Sequence, residues 1–533
     1  MPEPEGRVSM PRNDAFHLYD TTLRDGAQRE GISYSVTDKL AVAALLDEFG
    51  VDFIEGGWPG AMPKDTEFFE RARSMKFKNA QLVAFGATRK AGTTASEDPQ
   101  VQALVNSEAP VITLVAKSDL RHVEQALKTT AEENLAMVRD TVGYLVGLGR
   151  RVFVDLEHFF DGYKFDAEYA LAVVRASMEA GADVAVLCDT NGGMLPSGIT
   201  RIVTHVREAT GARIGIHCQD DTACAVANSI AAVEAGATHV QCTANGYGER
   251  TGNADLFAVT ANLQLKLGVE CVSPESLASM YKISHTIAEI ANITPDTHQA
   301  YAGVSSFAHK AGLHASALRI NAELYNHIDP KIVGNIQRVL VTEMAGRASV
   351  ELKGKELGLD LSGDSEVLSG VIDRVKDLEA RGWSFESADA SFELLVREKQ
   401  GQGRRFEVES WRTIVEQRED GVVASEATVK VHANGERIVA TGEGNGPVNA
   451  LDNALRTAVS QIYPELVNLK LTDYKVRILE GVKGTDAVTR VLVETTNGQR
   501  EWTTIGVHEN VIAASWQALD DAVHFGMIQN GGG

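Results

Sequence analysis

The sequence predicts an α/β protein built on a (β/α)8 TIM barrel, followed by helical linker subdomains and a C-terminal α+β domain with an internal duplication. Three observations lead there. From Phe16 to about Lys266 one unit repeats, a short β-branched run followed by an amphipathic helical stretch. Polar side chains gather at the C-terminal ends of these runs, where barrel active sites lie. Near the end of the chain, Asn434-Gly-Glu-Arg437 recurs 63 residues later as Asn497-Gly-Gln-Arg500.

Taken in order, strands are expected at 16–20, 51–56, 81–86, 111–116, 151–158, 184–189, 213–218 and 239–244. A doubly wound open sheet shows the same local alternation. The barrel is favoured by the polar strand ends: Arg24 and Asp25 after the first strand, Glu55 on the second, Glu157 and His158 on the fifth. Asp189 and Thr190 follow on the sixth, His217 and Gln219 on the seventh, and Asn245 after the eighth. The expected division is a tail at 1–14, the barrel at 15–285, linker subdomains at 286–389, the duplicated domain at 390–527 and a tail at 528–533. In the duplicated part each Asn-Gly follows an alternating Val-rich strand, a hairpin signal, and helices begin near Gly446–Ala450 and Val511–Trp516.

Composition sets limits. A chain of 533 residues, 44% hydrophobic and 23% charged, can bury large cores in two or more domains. The five cysteines lack Cys-x-x-Cys spacing and fit reduced, buried thiols. A net charge of −22 argues against a nucleic-acid or anionic-membrane surface, which needs clustered Lys and Arg. The longest apolar runs are strand-sized, and Met1 to Asp14 has prolines and polar residues where a signal core would be apolar, so a cytoplasmic location is expected.

Three segments carry candidate chemistry. In Leu18-Tyr-Asp-Thr-Thr-Leu-Arg-Asp-Gly-Ala-Gln-Arg29, Asp25 could ligate a cation while Arg24 neutralises an oxyanion beside it. Alone, the same residues make an Asp-Gly turn with a structural ion pair. In Ile216-His-Cys-Gln-Asp-Asp221, strand parity puts His217 and Gln219 on one face, able to meet Asp25 across the barrel mouth. A lone strand histidine is otherwise a hydrogen-bonded core residue. Ala244-Asn-Gly-Tyr-Gly-Glu-Arg-Thr-Gly-Asn253 is a glycine-rich loop that either passes close to a cofactor or simply caps a helix through Asn253.

Asp-Thr-Thr-Leu-Arg-Asp-Gly-Ala-Gln at 20–28, the His-x-polar-Asp element at 217–220 and Asn-Gly-Tyr-Gly-Glu-Arg-Thr-Gly-Asn at 245–253 together resemble a known family. It comprises the metal-dependent barrel enzymes isopropylmalate synthase, homocitrate synthase, citramalate synthase and 3-hydroxy-3-methylglutaryl-CoA lyase. Ile54-Glu-Gly-Gly-Trp-Pro-Gly60 with Pro63-Lys-Asp65, and Glu157-His-Phe-Phe-Asp-Gly-Tyr-Lys164, look most like its citramalate synthase branch.

That resemblance implies a divalent metal held by Asp25, His217 and Gln219, with Asn253 completing or approaching the shell. The family usually has His-x-His, so Gln219 is a departure. A neutral carbonyl oxygen there favours Mg²⁺ or Mn²⁺ over Zn²⁺. Asp220 or Asp221 is the alternative donor, and parity disfavours Asp220. The implied reaction is a Claisen-type condensation of acetyl-CoA with pyruvate, followed by thioester hydrolysis. Arg24 would stabilise the oxyanion, Gln28 and Thr190 would bind the keto acid, and Glu157 would orient substrate or proton unless it merely pairs with Arg151 or Lys164. Ser305-Ser-Phe-Ala-His-Lys-Ala-Gly-Leu-His-Ala-Ser-Ala317 resembles the family's linker motif. His314 falls at its catalytic histidine and Tyr325 at its tyrosine; His309 lies off the matching position, and Lys310 is a candidate contact for a CoA phosphate. The duplicated domain resembles the regulatory domain of these synthases, implying a homodimer with isoleucine as effector. The alternatives are isopropylmalate synthase activity with the larger 2-oxoisovalerate, a CoA-ester lyase, and a non-catalytic branched-chain amino-acid sensor.

Overall fold

The computed structural model describes residues 14–341, 347–359, 361, 365–479 and 487–530. Two compact units result, one drawn from Met1–Phe307 and Pro330–Ile336, the other from Ala308–Asp329 and Gln337–Gly533. Apart from Asp14, the expected tail at 1–14 lies outside the described residues, as do 531–533 of the tail expected at 528–533.

In the first unit eight parallel strands close into a barrel: β1 (His17–Asp20), β2 (Phe53–Gly57), β3 (Gln81–Ala87), β4 (Val111–Lys117), β5 (Arg151–Glu157), β6 (Val184–Asp189), β7 (Ile214–Cys218) and β8 (His239–Cys242). Closure is made by β1 against β8, with Tyr19 opposite Gln241 and Asp20 opposite Cys242. The open doubly wound alternative is thereby excluded. A layer of Tyr19, Phe53, Val83, Val111, Phe153, Val184, Val186 and Cys188 fills the interior, so the barrel is a packed core rather than a pore.

Local chemistry starts and stops the helices. Ser35 and Asp38 form a reciprocal capping box at the head of Val36–Phe49, and Gly50 ends that helix at φ 95°. Asp98, Thr130, Asp166 and Asp255 accept from first-turn amides of later helices. The Gly56-Gly57-Trp58 segment has a packing reason. Lys39 Nζ, itself buried, donates to Gly56 O at 2.8 Å and to the Asp65 carboxylate, which also accepts from Trp58 N at 2.8 Å. A Cβ on Gly57 would lie 2.3 Å from that carboxylate, at a φ of +141°.

In the second unit, helices Arg347–Glu356, Ser365–Ala380 and Asp389–Lys399 share an apolar cluster with the later strand β16 (Glu501–His508). Two βββα repeats follow. β11 (Phe406–Gln417), β12 (Val423–Ala433) and β13 (Glu436–Gly444) precede the helix Pro447–Val459, while β14 (Lys470–Ile478), β15 (Thr489–Thr496) and β16 precede Val511–Asn530. Short strands Ala308–His309 and Arg338–Val339, β9 and β10, pair ahead of them. The last helix runs through 528–530, the first part of the expected tail.

The duplicated tetrapeptide makes two different turns. Asn434 and Gly435, at φ 49° and 81°, form a two-residue connection, so Ala433 pairs with Glu436. In the second copy Thr496 pairs with Glu501. The four residues between form the loop, where Asn497 Oδ1 accepts from Gln499 N and Arg500 N at 3.0 and 2.9 Å.

Gly57→Ala is expected to destabilise the protein by about 2 kcal/mol, as a Cβ displaces the Asp65 carboxylate from Lys39 and Trp58 N. Thermal unfolding against the wild type measures it, and Gly92→Ala, where no atom lies within 4 Å of the added Cβ, is the control for φ > 0 alone.

Candidate active site

The site is assembled at the C-terminal mouth of the barrel. After β1 the chain turns tightly, with Arg24 N and Gly26 N both donating to Thr21 O, which points Arg24 and Asp25 inward. Asp25 is only 5% exposed. Its Oδ2 accepts from Gln219 Nε2 at 3.1 Å and lies 3.4 Å from His217 Nε2, and Arg24 Nη1 is 3.5 Å from its Oδ1. Burial pushes the Asp25 carboxyl up, but the Arg24 charge and the His217 hydrogen bond outweigh it and hold the group well below the usual carboxylate range. Burial alone would lower the His217 pKa, yet its bond to Asp25 raises it.

Asn253 reaches the same place through backbone pairing. Gln219 and Asn253 form an isolated bridge, and Ala254 N donates to Cys218 O at 3.1 Å. The glycines of this loop are needed for its close passage: a Cβ on Gly248 would sit 2.3 Å from Asn253 Nδ2, and one on Gly252 would sit 2.0 Å from Gly246 O. The structure therefore brings Asp25, His217, Gln219 and Asn253 together. Gln219 Oε1 and Asn253 Oδ1 are both buried without a hydrogen-bond partner. Two orphaned carbonyl oxygens on residues gathered around an ionised carboxylate and an imidazole suit a divalent cation, since a buried acceptor without a partner is otherwise costly; Gln219 would turn its amide end for end to ligate, because its nitrogen now faces Asp25 and His217.

The alternative donors are committed elsewhere. Asp220 Oδ1 accepts from Ala225 N at 2.8 Å, and Asp221 pairs with Arg250 at 2.7 and 2.9 Å. Among the described residues, a further group able to converge on a cation, Asp14, His17 and Asp183, lies at the opposite end of the barrel. There Arg151 and Arg213 already donate to Asp14, which disfavours a second cation.

Arg24 is held from two sides. Its Nε donates to Glu55 Oε1 at 2.5 Å and its guanidinium carbon lies 3.9 Å from the Phe85 ring centroid. Glu55, wholly buried, also accepts from Tyr19 Oη and, at 2.7 Å, from Thr21 Oγ1. Thr190 Oγ1 accepts from His158 N at 2.8 Å, with His158 in the left-handed region at φ 57°. That leaves the Thr190 proton to donate elsewhere. Glu157 pairs with Lys117, its register partner on β4; Arg151 instead binds Asp14 and Asp183, and Lys164 faces Asp161. The alternative of an Arg151 or Lys164 pairing is thus not met, because the partner, Lys117, is a neighbour in the sheet and not in sequence. Gln28 is exposed at the end of the Gly26–Gln28 turn.

His314 and Tyr325 belong to the second unit, where their rings stack at 4.0 Å. His309 joins them, 5.9 Å from His314, and its Nε2 lies 2.9 Å from Asn326 Oδ1. Lys310 Nζ pairs with Glu386.

Sequence reasoning missed Gln241 and Asp155. His217 Nδ1 lies 2.9 Å from Gln241 Oε1, and Gln241 Nε2 donates to Asp155 Oδ1 at 2.8 Å. A signal existed for Asp155, which shares parity with Glu157 on β5.

Comparison with known proteins fits this geometry. Residues 15–288 match the HMGL-like family, 302–382 the homocitrate synthase post-HMGL domain-like family and 386–527 the LeuA allosteric (dimerisation) domain. An (R)-citramalate synthase of Streptomyces coelicolor is 65% identical over 97% of this chain and 98% of its own. One of Aquifex aeolicus is 48% identical over the same shares, whereas a 2-isopropylmalate synthase of Methanocaldococcus jannaschii is 30% identical over 96% and 94%. The chain belongs to the HMGL-like family, on the branch formed by the (R)-citramalate synthases.

Proposed function

We propose that this chain condenses acetyl-CoA with pyruvate and hydrolyses the resulting thioester, releasing (R)-citramalate and CoA as the first step of a pyruvate route to isoleucine. The observation that carries the reading is the 65% identity, over nearly the full length, with a relative of that name. Asp25, His217, Gln219 and Asn253 would hold a divalent metal. Two neutral amide oxygens in that set favour Mg²⁺ or Mn²⁺ over Zn²⁺. Bound there, the metal supplies Lewis-acid polarisation of the keto oxygen.

The remaining roles belong to side chains. Arg24, fixed by Glu55 and Phe85, faces the oxygen that becomes negative as the acetyl methyl carbon attacks the keto carbon. Thr190 donates its free proton to the keto-acid carboxylate, with Gln28 as a further contact. Glu157 orients the substrate while Lys117 keeps it charged. His314, stacked on Tyr325, is the proposed acid/base: the methyl carbon gives up one proton, and the new alkoxide takes one. Water then splits the thioester into carboxylate and thiol. Residues 390–527 are proposed as a regulatory and dimerisation domain with isoleucine as effector, in a cytoplasmic homodimer.

The test is CoA thiol release with the product identified by mass. Pyruvate is expected to be preferred over 2-oxoisovalerate, and the opposite preference overturns the acceptor assignment in favour of isopropylmalate synthesis. Stripping divalent metal should abolish turnover, with Mg²⁺ or Mn²⁺ restoring it better than Zn²⁺. Arg24→Lys, which keeps the charge but loses the fork held by Glu55, is expected to lower kcat by about 10² or more with a smaller change in KM. Equal losses in pyruvate binding and none in kcat would remove Arg24 from the transition state.

A further inference from the structure

The interior of the barrel below the site holds a hydrogen-bonded chain that none of the assigned roles uses. His217 presents Nε2 toward Asp25 and Gln219, and its other nitrogen, Nδ1, lies 2.9 Å from Gln241 Oε1. The amide nitrogen of Gln241 donates to Asp155 Oδ1 at 2.8 Å. Gln241 is 1% exposed and Asp155 4%, so water cannot substitute at low cost for either partner. Asp155 Oδ1 is the acceptor for the Gln241 amide nitrogen, and that bond fixes which end of the Gln241 amide faces Asp155. The end left for His217 is then the carbonyl oxygen, which accepts only. Nδ1 must carry a proton, and the lone pair available for ligation is the one on Nε2.

We infer that Gln241 and Asp155 are positioning residues that set the tautomer and the ring orientation of His217. Asp155 orients the Gln241 amide, Gln241 holds the proton on Nδ1, and Nε2 is presented to the cation. The inference rests on the metal-site reading above and adds to it a cause for the direction His217 faces. A neutral glutamine in place of a carboxylate directly behind the histidine also leaves the imidazole less electron-rich than a charged partner would, in keeping with an otherwise oxygen-donor site. Gln241 sits opposite Tyr19 in the β1–β8 register and opposite His217 in the β7–β8 register, so only strand closure brings the three together.

The experiment is Mn²⁺ binding by equilibrium dialysis on the full-length protein, without substrate, for wild type, Gln241→Leu and the double variant Gln241→Glu with Asp155→Asn. The double variant exchanges donor and acceptor at the Gln241–Asp155 bond and keeps an acceptor facing Nδ1. Gln241→Leu is expected to weaken Mn²⁺ binding by about 10- to 100-fold, and the double variant to bind within a few-fold of wild type. Wild-type affinity in Gln241→Leu, or no recovery in a folded double variant, overturns the relay while leaving the metal site standing. Failure of the wild type itself to bind Mn²⁺, Mg²⁺ or Zn²⁺ overturns the metal reading and the relay with it. Should Gln241→Leu fail to fold, ¹⁵N-histidine spectra of the metal-free wild type in alkaline buffer decide. A His217 ring protonated on Nδ1 supports the relay, and one protonated on Nε2 overturns it.

Discussion

The site depends on the placement of one guanidinium among buried carboxylates. Asp25, Glu55 and Asp155 are all nearly or wholly inaccessible, and buried negative charge is costly unless it is paired. Arg24 lies against two of them, touching Glu55 through Nε and Asp25 through Nη1. With that pairing Asp25 stays ionised; away from it, burial and the neighbouring Glu55 push the Asp155 carboxyl upward. The Arg24 fork is held by a carboxylate below and an aromatic face beside it, so the charge that would meet a developing oxyanion is already in place before any ligand arrives.

From this follows the character of the proposed cation site. Asp25 provides the only formal charge among its four donors, His217 the only nitrogen, and the two remaining donors are amides whose oxygens have no partner. A His-x-His version of β7 would make the site richer in nitrogen. Here the second position carries Gln219, and the acids next in sequence do not compensate, because Asp220 accepts from Ala225 N at the start of the helix Ala225–Glu234 and Asp221 is held by Arg250. Arg250 also donates to Thr190 O, so the loop after β8 ties together the ends of β6 and β7 while positioning Asn253.

The second unit shows how far a repeated motif constrains structure. Two Asn-Gly tetrapeptides precede equivalent strands and helices, yet only the first places both residues at positive φ in a two-residue turn. The second copy uses its asparagine side chain to cap the turn, and its hairpin opens to four residues. Both repeats nonetheless bury helices on one common core, which includes Val429 and Val431 from the first and Val491 and Val493 from the second. The burial pattern is shared, while the turn is set locally by strand register.

Strand and helix periodicity, capping residues and the chemistry at strand ends are local properties, and the sequence by itself determined them. The eight barrel strands lie within about two residues of their expected ends because β-branched runs and Ser, Thr and Asp caps act over a few residues. Motifs in the sequence also name Asp25, His217, Gln219 and Asn253, and strand parity places His217 and Gln219 on one face. Only the tertiary structure decided which side chains complete the site. Lys117 meets Glu157 through register between β4 and β5, and Asp155 of β5 meets Gln241 of β8 across the barrel interior, between residues 86 apart in sequence. Barrel closure sets Gln241 beside Tyr19. Such pairings depend on relative displacement between distant strands, a quantity that hydrogen bonding and core packing settle jointly and that no local pattern encodes.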